Sequence, residues 1–286
     1  MSAPRTVALF SHTRIGDTGA PLRRVLELAH SAGVEVWISP EEAQKHGFAS
    51  APDGAVLTKG DEGPPDLALV LGGDGTILSA LRDFAGTSVP VFAINFGAIG
   101  FLATVEPWEL DEGVARAFAG EIDVMELPAL VARTDRGSQL AVNDVSFHRR
   151  QSGRVAELAY SVSGEELGQV RCDGLVVSTP AGSTGYNLAN GGPVLAWGVE
   201  GFVVSFIAPH TLTARSLVVA PGDVLEVTNR SREEDVEMTT DGRSAWALAS
   251  EATVPIAFEE GKALLAQAPG ATFYHRLRDK FGRLSY

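Results

Sequence analysis

The run Gly72-Gly73-Asp74-Gly75-Thr76 sets three glycines and one carboxylate directly after an apolar stretch at residues 67–71. That stretch reads as a buried strand, and residues 76–84 read as a helix. Glycines at a strand-to-helix turn let backbone N–H groups approach a phosphate, and the helix N-terminus adds favourable potential. Asp74 is out of place in a pure anion cradle, because a carboxylate repels phosphate. A hydroxyl to be deprotonated, or a magnesium ion riding on a phosphate, would need it. The chemistry indicated is phosphoryl transfer. The run lacks the spacing of a P-loop, and its aspartate sets it apart from the GxGxxG fingerprint of dinucleotide-binding turns.

A second constellation lies about 100 residues on. Arg171-Cys172-Asp173-Gly174 leads through an apolar strand into Ser178-Thr179-Pro180-Ala181-Gly182-Ser183-Thr184-Gly185-Tyr186-Asn187. Hydroxyls and glycines in one turn suit sugar hydroxyls and a base edge, and Tyr186 offers a stacking face. Taken alone, the segment fits a turn-rich hairpin as well. Asn143-Asp144, after the apolar residues 140–142, reads alone either as a turn or as part of a site. The six histidines show no metal-ligand spacing, and the single Cys172 reads as a small buried hydrophobe.

The elements that must position these residues fall into two grammars. Strands at 6–10, 35–38, 67–71 and 89–94 alternate with helices. One helix has Leu22, Val25, Leu26 and Ala29 on a single face, another starts at Ser39-Pro40, and a third covers 107–118. Polar or turn-rich connections fill 11–18 and 60–65. Such alternation implies a doubly wound α/β domain around a parallel sheet. From about residue 124, β-rich runs recur at 129–134, 139–147, 156–162, 174–178, 202–207, 224–227 and 254–258. These predict an all-β domain, a sandwich. The chain ends in a helix with Phe273, Leu277, Phe281 and Leu284 on one face and Arg276, Arg278, Lys280 and Arg283 largely on the other. That helix is expected to return to the first domain, giving residues 1–123 plus 262–286 as the α/β domain and 124–261 as the β-sandwich.

A net charge of −13 argues against nucleic acid and against an anionic membrane surface as partners. No run approaches the roughly 18–20 apolar residues of a membrane span, and one cysteine fits a reducing compartment. The expected location is cytoplasmic.

The combined motifs resemble the NAD kinase family. They are GGDGT at 72–76, NFGxxGFLA at 95–103, ND at 143–144, DGLVVSTPAGSTGY at 173–186, PHTLTARSLVV at 209–219 and TDGR at 240–243. The resemblance implies transfer of a phosphoryl group from ATP or polyphosphate, with Mg2+ or another divalent cation, to the 2′-hydroxyl of the adenosine ribose of NAD, giving NADP. It makes Asp74 the proton acceptor, with Gly72, Gly73, Gly75 and Thr76 around it. It gives dinucleotide contacts to Asn143, Asp144, Arg171, Asp173, Ala181, Thr184, Gly185, Tyr186, Asn187, Ala189, Ala208 and Arg243. It also implies a site completed where two domains meet, and homodimers or homotetramers.

Several positions depart from the family's pattern. Asp144 stands for a glutamate, Ala181 and Ala189 for hydroxyl residues, Ala98 for arginine or histidine, and Arg243 for glutamine. Two other readings belong to different classes. Lipid kinases of the diacylglycerol type share a GGDGT-like loop, but the acidic charge and the 173–186 segment weigh against them. A non-catalytic NADP(H)-binding sensor is motivated by the lost hydroxyls at 181 and 189.

Overall fold

The computed structural model describes residues 1–12, 15–48, 50–52, 55–58, 62–97, 100–151, 154–232 and 234–282. The expectations for Ala98, Arg283 and Leu284, and parts of the connections at 11–18 and 60–65, lie outside these residues. The chain divides into two compact units, 1–126 with 263–286, and 127–262.

The first unit runs β1 (Thr6–Ser11), α1 (Ile15–Ala32), β2 (Glu35–Ile38), α2 (Pro40–Lys45), β3 (Ala55–Leu57), β4 (Leu67–Gly72), α3 (Asp74–Asp83), β5 (Pro90–Asn95) and α4 (Leu110–Phe118). Its strands pair in parallel in the order β5-β4-β1-β2-β3. Every residue of β4 and β5 is buried, as central strands covered on both faces require. The apolar stripe of α1 is buried at Leu22, Val25, Leu26 and Ala29. Pro40 opens α2, and the Ser39 hydroxyl accepts the Glu42 N–H at 3.2 Å. α3 begins two residues earlier than the sequence pattern suggests. Asp74 is its first residue, where a carboxylate complements the helix dipole.

The second unit holds most of β6 (Asp123–Thr134), then β7 (Gly137–Ala141), β8 (Asp144–Arg149), β9 (Ala156–Val162), β10 (Glu165–Cys172), β11 (Gly174–Ser178), α5 (Tyr186–Ala189), β12 (Phe202–Ile207), β13 (Leu217–Val219), β14 (Val224–Asn229), β15 (Val236–Thr240), β16 (Arg243–Leu248) and the first part of β17 (Thr253–Gln267). One layer is an antiparallel sheet, β13-β12-β11-β8-β15-β16. The other runs β10-β9-β14-β17, also antiparallel. Phe147, Leu175, Val177, Phe202 and Met238 from the first layer share one buried cluster with Leu158, Leu225, Val227, Val254 and Ile256 from the second. This is the sandwich expected from the recurring short strands.

Two expectations need correction. The run at 139–147 is not one strand: β7 pairs with β6, whereas β8 lies in the six-stranded sheet. The break occurs because the Asp241 carboxylate accepts the N–H groups of Val142, Asn143 and Asp144 at 3.1, 2.7 and 3.2 Å, taking them from any ladder. The second concerns the last helix, α6 (Phe273–Phe281), which belongs to the first unit. Its Arg276 is not on a solvated face but only 7% exposed, for a reason found at the site.

Candidate active site

Strands β4 and β5 end side by side, Gly72 opposite Asn95. Gly73 and Gly97 touch just beyond these ends: a Cβ on Gly97 would lie 2.8 Å from the Gly73 Cα. No side chain fits at that crossing, so both loops need glycine there. Asp74 follows, half-buried, with both carboxylate oxygens held. The Phe101 N–H donates to Oδ2 at 2.9 Å and the Leu102 N–H to Oδ1 at 3.2 Å. Burial pushes this carboxyl above the ordinary range. The two amides, Arg276 and Lys280 pull in the opposite direction. Gly75 is exposed in the first turn of α3, and the Thr76 N–H donates to the Gly73 carbonyl at 2.9 Å.

The second unit gathers many of the other candidate residues on one face of β8 and the loop after β11. Side chains alternate along β8, so Val145 and Phe147 enter the core while Asp144, Ser146 and His148 share the opposite face. Gly182 packs on the Asn143 backbone so tightly that a Cβ would lie 2.1 Å from its carbonyl oxygen. The Thr179 hydroxyl fastens the same place, donating to the Val142 carbonyl at 2.6 Å and accepting the Gly182 N–H at 3.1 Å. Asn143 Oδ1 is buried without a hydrogen-bond partner. Asp144 is 8% exposed, and its pKa is pushed up to about 7 by burial first and then by Asp241. Tyr186 stacks on His148 with centroids 5.6 Å apart. Its hydroxyl pKa is raised by burial and by Asp144 and Asp173.

The remaining candidates divide by what they touch. Asn187 is fully buried, and its Nδ2 donates to the Ser183 and Pro193 carbonyls, both at 2.9 Å; this amide nitrogen closes its own loop. Ala181 is buried, whereas Gly185, Ala189, Arg171 and Arg243 are exposed and Thr184 is half-buried. Ala208 directly follows β12 with φ +44°, a left-handed conformation that alanine adopts only at a cost. Asp173 pairs with Arg149 at 3.1 Å.

Two further neighbours, His148 and Arg149, lie beside these residues and are not marked as site residues by any sequence motif. The period-2 pattern of β8, counted from Asp144, would have placed His148 on its face. Its Nε2 shares a 2.8 Å hydrogen bond with Ser146 Oγ, and burial lowers the imidazole pKa against the pull of Glu237.

Residues 38–122 match the model of the ATP-NAD kinase N-terminal domain, and residues 142–267 that of the ATP-NAD kinase C-terminal domain. The chain belongs to the NAD kinase family. A NAD kinase of Gemmatimonas aurantiaca is 36% identical over 242 residues, covering 81% of this chain and 82% of that one. A NAD kinase of Syntrophotalea carbinolica is 32% identical over 285 residues, covering 97% and 98%. The fold matches yeast NADH kinase complexed with NADH at TM-score 0.85 and 21% identity, over 99% of this chain and 88% of that one. It also matches an Archaeoglobus fulgidus NAD kinase in complex with ATP at TM-score 0.75 and 25% identity, over 98% of each. The activity is therefore that of a NAD kinase, phosphorylation of NAD to NADP, and not that of a lipid kinase.

Proposed function

We propose that Asp74 accepts the proton of the adenosine ribose 2′-hydroxyl of NAD as that oxygen attacks the γ-phosphoryl of ATP or a phosphoryl of polyphosphate. The observation that carries this reading is the fixed carboxylate at the start of α3, held by the amides of Phe101 and Leu102. Phosphoryl transfer asks mainly for alignment and charge neutralisation. Gly72, Gly73, Gly75 and Thr76 receive the donor phosphates at the N-terminus of α3. An aspartate with a raised pKa is a better base than a free one, yet it remains weak against a sugar hydroxyl. Proton transfer is then late, after bonding to phosphorus has acidified the oxygen.

Asn143, Asp144, Arg171, Asp173, Thr184, Gly185, Tyr186, Ala208 and Arg243 hold the dinucleotide in this reading. The unpartnered Asn143 Oδ1 and the exposed side of Tyr186 support it. Among the described residues no three His, Cys, Asp or Glu side chains come together as metal ligands. In this reading a divalent cation arrives on the donor's phosphates and neutralises them there. Among the described residues no helix is long and apolar enough to cross a membrane. We place the protein in the cytoplasm, as a homodimer or homotetramer.

The test is NADP formation with NAD or NADH crossed against ATP and polyphosphate, with Mg2+ or with chelator. Asp74→Asn should fold normally and lose about 10²- to 10⁴-fold in kcat, the usual worth of general-base help. Near wild-type turnover in the folded variant would overturn the role of Asp74. Dinucleotide binding by the parent protein without NADP from any donor would favour the sensor.

A further inference from the structure

Arg276 stands out because burying a guanidinium costs free energy unless its donors are satisfied. It sits on α6, in the same unit as Asp74, and its Nη1 donates to the carbonyls of both Phe101 and Leu102, the latter at 3.1 Å. The amides of those two residues are the ones that hold Asp74. The peptide between them is trans, so its carbonyl and its N–H point opposite ways. Its negative end therefore meets the guanidinium and its positive end meets the carboxylate. Turning that peptide over would set a carbonyl oxygen against Asp74.

We infer that Arg276 is a positioning residue for phosphoryl transfer, holding the carbonyls of Phe101 and Leu102 and so fixing the segment whose two amides aim the Asp74 carboxylate. This rests on the role of Asp74 given above. Among the described residues, the charged groups acting on Asp74 are Arg276 and Lys280, both from α6; Lys280 also lies 3.7 Å from Glu106. Burial lowers the Arg276 pKa to about 10, with Asp74 opposing, so the guanidinium is charged throughout the working range. Its loss removes both the clamp and one of the two compensating charges, which raises the proton affinity of Asp74.

The experiment measures kcat and KM from pH 5.5 to 9 for Arg276→Met, Arg276→Lys, Asp74→Asn and the double variant Asp74→Asn/Arg276→Met. The exposed Arg278→Met on the same helix is the control with unchanged activity. Arg276→Met should lose about 10- to 100-fold in kcat at pH 7 with KM within about threefold, the scale of a misplaced catalytic group. The acid limb of its profile should move upward, and Arg276→Lys should recover part of both effects. In the Asp74→Asn background the substitution should cost nothing further, since a residue acting through Asp74 is not additive with it. An unshifted acid limb with full kcat, or a loss that persists in that background, overturns the inference. An active Asp74→Asn instead overturns the reading on which it rests. If Arg276→Met fails to fold, the folded Arg276→Lys decides: wild-type kcat and acid limb overturn the inference, and a partial loss with a shifted limb supports it.

Discussion

Asp144 is a carboxyl buried beside a second one, and its protonation is tied to folding. Unfolded, it titrates near about 4; folded, near about 7. Between those values the folded chain binds more protons, so stability falls as pH rises from about 4 to about 7 and then levels off. Asp144→Asn keeps the shape and removes the titration. Its Tm relative to the parent should increase from pH 5 to pH 8 in scanning calorimetry; a constant difference would mean that the carboxyl ionises freely. The sequence shows an Asn-Asp pair and nothing of this environment, because Asp241 lies almost a hundred residues away. Arg276 gives the same lesson. Its place in the helical pattern assigns it to solvent, and only the carbonyls of Phe101 and Leu102 explain why it is buried. Asp74 is different, since its oddity among glycines is visible in the chain itself.

At the scale of elements, the loops after β4 and β5 work as a pair because their glycines touch. Gly97→Ala would force a Cβ against the Gly73 backbone, which cannot give as a flexible side chain can. The collision should displace the start of α3 and lower kcat by about tenfold or more, measured with saturating NAD and ATP. Unchanged turnover would show that the two loops separate without moving Asp74. The periodic elements were legible: the stripe of α1, the cap of α2 and the apolar cores of β4 and β5 all declare themselves locally. Strand β10 did not, because most of its residues are exposed, and its register shifts between Glu166 and Gly168. The split of 139–147 into β7 and β8 was hidden too, since the carboxylate that causes it belongs to the turn between β15 and β16.

The whole molecule carries 36 acidic against 23 basic side chains and acts on substrates that are themselves anions. Its far field should slow their approach at low salt. Raising ionic strength from 10 to 100 mM shortens the screening length from about 30 to about 10 Å. We expect kcat/KM for NAD to rise about two- to fivefold over that range at constant free Mg2+; a fall would indicate that a basic patch steers the substrates. Sequence alone determined the fold class and pointed to phosphoryl transfer, and it singled out Asp74 as the candidate base. Periodicity, glycine at tight turns and an isolated charge are local properties, written in neighbouring residues. Tertiary structure alone decided which peptides hold Asp74, which arginine fixes those peptides, and that Asp144 faces Asp241. Those are distances between residues far apart in the chain, and burial, which sets the pKa of each group, exists only once the chain has folded.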